Sequence, residues 1–237
     1  MAGVRLPYRF ADTGAEPLLT IRELDVDFAT DRGTVHAVQG VSLLVDPGEI
    51  LAIVGESGSG KTVTARSVLG LLPETATMDG AVVLDGHDVV HMTPSQLRQL
   101  RGTDVAMIFQ EPSSALNPVY PVWWQIGEGL RAHDPKLTKK QVKAKAIEAL
   151  RAVGLTDPET RITYYPHEFS GGQKQRIMIA MALALGTKLI VADEPTTALD
   201  VTVQAEILQL LRDVRDHYGT SIILITHNMG VVADLAD

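Results

Sequence analysis

The stretch Gly55-Glu56-Ser57-Gly58-Ser59-Gly60-Lys61-Thr62 constrains this chain more than any other feature. It has the form Gly-x-x-x-x-Gly-Lys-Thr and stands between an apolar run that reads as a buried strand, Ile50–Val54, and a helical pattern over Lys61–Leu72 that Pro73 stops. Glycines at these positions let the backbone approach an anion and adopt dihedrals closed to other residues, so successive N–H groups can surround phosphate oxygens. The helix that follows adds a favourable dipole at its N-terminus. Lys61 is placed to reach β- and γ-phosphates and the Thr62 hydroxyl to ligate Mg²⁺; Thr64 is counted with the loop as a further nucleotide contact. A strand feeding such a loop into a helix predicts an α/β fold with a parallel sheet.

A second run, Leu189–Ala192, reads as a buried strand and delivers Asp193 and Glu194 at its C-terminal edge, where ligands bind in open α/β sheets. Asp193 is expected to hold Mg²⁺ and Glu194 to polarise an attacking water. Between the loop and this strand lies Ser170-Gly171-Gly172-Gln173, followed by a helical apolar pattern at Ile177, Ala180, Met181 and Ala184. That arrangement again offers hydroxyl and backbone donors to an anion. Asp200 is placed as an N-cap for a helix over 201–217.

The rest of the chain alternates as a layered α/β protein should. Leu19, Ile21, Leu24, Val26 and Phe28 have strand periodicity, and Thr34–Val38 and Val41–Val45 follow before a turn at Asp46-Pro47-Gly48, which predicts a small antiparallel sheet. Ala81–Leu84, Val105–Phe109 and Ser221–Thr226 are predicted strands, and Val203–His217 a helix. Residues 112–186 change texture to proline-punctuated loop and helices, including one over 138–153 started by Thr138 and ended by Gly154. Residues 1–17 are expected to be a flexible tail. A net charge of −8 argues against a nonspecific nucleic-acid partner. No cysteine is present, which removes thiolate metal sites and thiol catalysis. The longest apolar run, Ile177 to Leu185, is about half of what a membrane span needs.

The order of these motifs resembles the ATPase subunit of ATP-binding cassette (ABC) transporters, over roughly residues 19–237. The resemblance implies a P-loop NTPase core with an N-terminal antiparallel β-subdomain and an inserted α-helical subdomain, together making one nucleotide-binding domain over 18–237. It implies ATP and Mg²⁺ as ligands, ATP hydrolysis as the activity, and Ser170–Gln173 as the element that meets the γ-phosphate held by a facing subunit. Gln110 matches the family's glutamine that touches Mg²⁺ and the attacking water, and His227 its γ-phosphate-sensing histidine. The loop Thr197–Asp200 matches the segment that crosses the dimer interface. Phe28 falls where the family stacks an aromatic on adenine, although an apolar strand residue would also read Phe28. Trp123-Trp124 fits either helix packing or contact with a membrane partner.

Gln110–Pro118, Tyr165–Ser170 and Asp193–Thr202 resemble more closely the ATPases of dipeptide, oligopeptide and nickel importers. Such a subunit works at the cytoplasmic face of the membrane. Its partners are a second ATPase, identical or a sister chain, two transmembrane permeases and, indirectly, an extracytoplasmic solute-binding protein. Nickel, glutathione or another small solute is an alternative cargo, and a non-transport clamp of DNA repair or translation is an alternative function. The family fold continues past His227 with further strands, so its C-terminal part is expected to be missing from this chain, which ends at Asp237.

Overall fold

A computed structural model describes residues 16–237, so nearly all of the expected tail over 1–17 lies outside the described residues. Strand β1 (Leu19–Thr30) pairs antiparallel with β2 (Gly33–Val45), then come β3 (Ile50–Val54), α1 (Lys61–Val68), β4 (Ala76–Leu84), β5 (His87–Asp88), α2 (Pro94–Thr103) and β6 (Val105–Ile108). Helices α3 (Pro112–Ala115), α4 (Val122–His133), α5 (Lys139–Ala152), α6 (Pro158–Arg161) and α7 (Gly171–Leu185) fill the stretch before β7 (Leu189–Asp193). Helix α8 (Val201–Tyr218), β8 (Ser221–Thr226) and α9 (Met229–Leu235) complete the described chain.

The strands form two sheets, an antiparallel one ordered β2-β1-β4-β5 and a parallel one ordered β3-β8-β7-β6. The parallel sheet separates two cores. Alternate residues of β7 point to opposite sides: Ile190 and Ala192 join Ile222 and Leu224 of β8 and the helices α4, α5 and α7. Leu189 and Val191 join Ile223 and Ile225 and the apolar face of β1, with Leu19, Ile21, Leu24 and Val26. Both β7 and β8 are buried along almost their whole length, as parallel strands covered on both faces must be.

Helix α5 starts where the sequence places it. Thr138 accepts from Gln141 N while the Gln141 side chain accepts from Thr138 N, and Gly154 follows the helix at φ 71°. Four differences from the sequence reading have local causes. The two predicted strands over 34–45 are one strand, because a bulge at Gly40 (φ 61°) absorbs the extra residue that would otherwise break the pairing. Strand β4 begins at Ala76 rather than Ala81, since β1 pairs with it as far as Phe28–Ala76. Helix α1 ends at Val68, not Leu72: Gly70 turns left-handed at φ 60° and the Arg101 guanidinium donates to the carbonyls of Leu69 and Gly70 at 2.8 and 2.6 Å. Finally, β3 lies at an edge of the parallel sheet with only Ile50 fully buried.

Candidate active site

In a parallel sheet all strands end on the same side, so whatever follows each strand collects there. Here the register pairs Val54 with Thr226, Asp193 with Ile225 and Ile108 with Ala192. The segments that leave those ends carry the loop Gly55–Thr62, His227, Glu194 and Gln110. Four regions that are far apart in sequence thus meet on one rim.

The loop's glycines are constrained by space at Gly55 and Gly60 and by backbone conformation at Gly58 and Gly60. Gly60 has φ 87°, and a Cβ there would stand 2.5 Å from the Ala37 carbonyl oxygen of β2. Gly58 also has positive φ (82°), and a Cβ on Gly55 would meet Ser59 Oγ at 2.6 Å. Glu56, Ser57 and Ser59 are exposed on the loop. The Lys61 ammonium curls back onto the loop, donating to the Gly55 and Glu56 carbonyls at 2.8 and 2.7 Å. Thr62 Oγ1 donates to Asp193 Oδ1 at 3.2 Å and so ties the loop to the end of β7. Burial pushes the Asp193 carboxyl above its usual range; the Thr62 hydroxyl pulls it down, Glu194 pushes it up, and Arg66 and Lys61 pull it down again.

Thr64 departs from its assignment as a nucleotide contact. It is buried, and its hydroxyl donates to the Gly60 carbonyl one turn back, so it braces the start of α1 from within. A side chain three residues into a helix turns away from the loop mouth when its hydroxyl is satisfied by its own helix.

Glu194 is the hub of the rim. Its backbone is left-handed at φ 48°, a conformation uncommon for a residue with a side chain, and its N–H donates to Ile225 O at 2.9 Å. Its side chain is largely buried, with an exposure of 21%. Oε2 accepts from Thr197 Oγ1 at 3.0 Å and from Gln110 Nε2 at 3.3 Å, while Oε1 lies 3.3 Å from His227 Nδ1. Sequence reasoning singled out Glu194 from its place at a strand end, and Gln110 and His227 from the family resemblance at theirs. It missed the Thr197 hydroxyl as a partner of Glu194, because a turn in which residue 197 folds back on 194 leaves no periodic trace.

Ser170 and Gln173 form a reciprocal cap at the start of α7: Ser170 Oγ accepts from Gln173 N at 3.3 Å and Gln173 Oε1 accepts from Ser170 N at 3.1 Å. Arg161 also donates to Gln173 Oε1, at 2.9 Å, and lies 4.8 Å from the Phe169 ring centroid. This clamp from α6 gave no sequence signal. Gly172 is required by close packing, since a Cβ there would stand 2.4 Å from Val203 Cγ1 of α8, while Gly171 lies in ordinary contact range of Leu199. Among the described residues, no hydrogen bond joins Ser170–Gln173 to the loop 55–62 of the same chain. Asp200 caps α8, accepting from Val203 N at 3.0 Å.

Phe28 is half-buried on β1, opposite Val35 of β2, two residues from the Ala37 carbonyl that touches the loop. It packs on the core beneath the β-subdomain while its ribbon passes beside the loop. Trp124 stacks on Tyr120 with centroids 4.0 Å apart, and Trp123 carries Lys139 and Lys143 near its ring at 5.2 and 5.1 Å. Among the described residues no helix is long and apolar enough to cross a membrane.

Residues 38–197 match the family described as ABC transporter. The peptidoglycan transport ATP-binding protein YejF of Agrobacterium fabrum is 50% identical over 228 residues, covering 95% of this chain and 42% of its own length. The oligopeptide transport ATP-binding protein OppD of Bacillus subtilis is 48% identical, over 93% of this chain and 62% of its own length. The chain therefore spans less than two thirds of either relative. Among solved structures, the dimeric post-hydrolysis state of the ATP-binding cassette MJ0796 bound to ADP and Pi aligns with a TM-score of 0.79 at 26% identity, covering 90% of this chain and 89% of that one. The cbiO1 protein from Clostridium perfringens, part of the transporter complex cbiONQ, aligns at 0.78 and 28% identity over 94% and 83%. Identity near one half along almost the entire chain, carried on a fold shared with solved cassettes, means that this chain belongs to the ABC transporter family.

Proposed function

We propose that this chain binds and hydrolyses ATP as the energy-coupling subunit of an importer of di- or oligopeptides. The observation that carries the reading is the rim itself: a carboxylate at a strand end, held by groups from three other points of the chain, beside a loop tied to the neighbouring Asp193. Loop amides and Lys61 would bind the phosphates, with Ser57 and Ser59 beside them, and Phe28 would support the base. Glu194 would take the proton from the attacking water, His227 would hold the carboxylate and sense the terminal phosphate, and Gln110 would orient the water.

The donor set suits Mg²⁺. Among the described residues no three acidic or histidine side chains gather to cage a metal alone. One hydroxyl and one carboxylate, Thr62 and Asp193, fit an ion that keeps its remaining oxygens from nucleotide and water, with Gln110 at its margin. A bound Mg²⁺ supplies charge neutralisation across the β- and γ-phosphates.

Because no hydrogen bond among the described residues joins Ser170–Gln173 to the loop 55–62 of its own chain, completion of the site by a second cassette is part of the proposal. So is a seat on two permeases at the cytoplasmic face of the membrane, with cargo delivered by an extracytoplasmic solute-binding protein. The names of an oligopeptide and a dipeptide transport relative, 48% and 47% identical, support peptide cargo.

The test is Glu194→Gln in the full-length protein within its membrane complex. ATP binding is expected to persist while turnover falls by about 10²-fold or more, with peptide uptake into vesicles lost in parallel. Turnover at the parent rate overturns Glu194 as the base, and no turnover by the parent overturns the ATPase assignment. Turnover without any peptide uptake overturns the cargo.

A further inference from the structure

We infer that Thr197 is a positioning residue for hydrolysis, aiming the carboxylate of Glu194; the inference rests on the proposed ATPase reading. Three groups hold that carboxylate, and they differ in kind. All three side chains are exposed, but Gln110 and His227 reach the carboxylate from other strand ends, at 3.3 Å. Thr197 makes the shortest of the three bonds, 3.0 Å, from within the same tight turn. That turn is closed by Thr197 N donating to the Glu194 carbonyl at 3.3 Å and is anchored by the buried Pro195 and Thr196 between them.

The left-handed backbone at Glu194 is what brings residue 197 back over its own carboxylate. The hydroxyl is therefore fixed relative to the base by local geometry, whatever the strand ends do. A carboxylate held at Oε2 by a bond from within its own turn is restrained about its terminal torsion, so Oε1 keeps its direction toward His227. The same turn runs on to Leu199, against which Gly171 of the α7 start is packed. Thr197 thus stands between the base and the element proposed to meet the facing nucleotide. A hydroxyl that only satisfied the turn would have needed no carboxylate partner, since the backbone bond already closes it.

The experiment compares parent, Thr197→Val and Thr197→Ser in the full-length protein, reconstituted with its membrane partners in lipid nanodiscs, with ATP turnover, nucleotide affinity and melting temperature read for each. Valine keeps the shape and removes the hydroxyl. We expect Thr197→Val to lower kcat about tenfold, as loss of one hydrogen bond to a charged group would, with KM for ATP within about twofold of the parent and melting unchanged. Thr197→Ser recovers most of the rate. In a Glu194→Gln background the valine change lowers the residual rate no further, because its effect passes through the carboxylate. A parent-like kcat in Thr197→Val overturns the inference. So does a loss confined to KM or melting temperature, or an additional loss in the Glu194→Gln background. Failure of the reading beneath it looks different: the parent itself would not turn over, or Glu194→Gln would match it and so remove Glu194 as the base.

Discussion

Asp193 shows how one residue can trade stability for ligand binding. Its carboxyl is pushed upward mainly by burial, against the pull of Thr62. A carboxyl whose folded pKa exceeds its unfolded value binds its proton more tightly in the folded state. Stability therefore falls as pH rises from the ordinary aspartate value, about 3.9, through the folded one, and the penalty is complete above it. Without Mg²⁺, Asp193→Asn is expected to melt about 2 °C higher than the parent at neutral pH, with the gap closing below about pH 4. With Mg²⁺ and ATP the order should reverse, because the variant cannot gain from the ion. Thermal melts across pH, with chelator and with Mg-ATP, measure both arms. A variant that is no more stable at neutral pH would mean that Asp193 is relieved by groups other than those around it here.

At the scale of elements, the helices between β6 and β7 are held by contacts too close for extra atoms. A Cβ on Gly127 of α4 would lie 2.5 Å from Val142 Cγ1 of α5. Gly127→Ala should cost about 1–3 kcal/mol by overpacking, and adding Val142→Ala should return part of that loss, so the pair is less destabilised than the sum of the singles. Urea unfolding of the three variants decides it; strict additivity would show that α4 and α5 move apart instead. Much at this scale was legible from sequence. The Thr138 cap, the continuous apolar run of β7 and the all-apolar centre of β8 identify their elements by chemistry that acts within a few residues. Element ends were less legible, because α1 stops where Gly70 turns and Arg101 arrives from 31 residues away to cap it. Partners brought by tertiary folding, such as Arg161 on Gln173, leave no local mark.

For the whole molecule, the site residues that follow strands were readable because a parallel sheet turns sequence position into spatial position: what comes after a strand must sit on the rim. Thr64 was misread for the converse reason, since which way a helical hydroxyl points depends on the turn below it. The proposed second cassette yields a clean test, as these 237 residues contain no cysteine. Ser57 and Ser170 are both exposed. With Ser57→Cys and Ser170→Cys introduced into the Glu194→Gln background, a short bis-maleimide should give a dimer-sized product that rises severalfold with ATP. Only monomer-sized product, with or without ATP, would remove the facing-subunit arrangement.

The alternation of β7 has a further consequence. Its odd and even residues feed two separate cores, and its last residue is tied to Thr62 of the loop. A slip of one position in this strand would exchange both apolar faces and also carry Asp193 away from its hydroxyl partner. Misfolding and loss of nucleotide binding are therefore the same event at β7. A cell that retains only nucleotide-loaded copies would, by that criterion alone, be inspecting the register of a strand no protease or chaperone can reach.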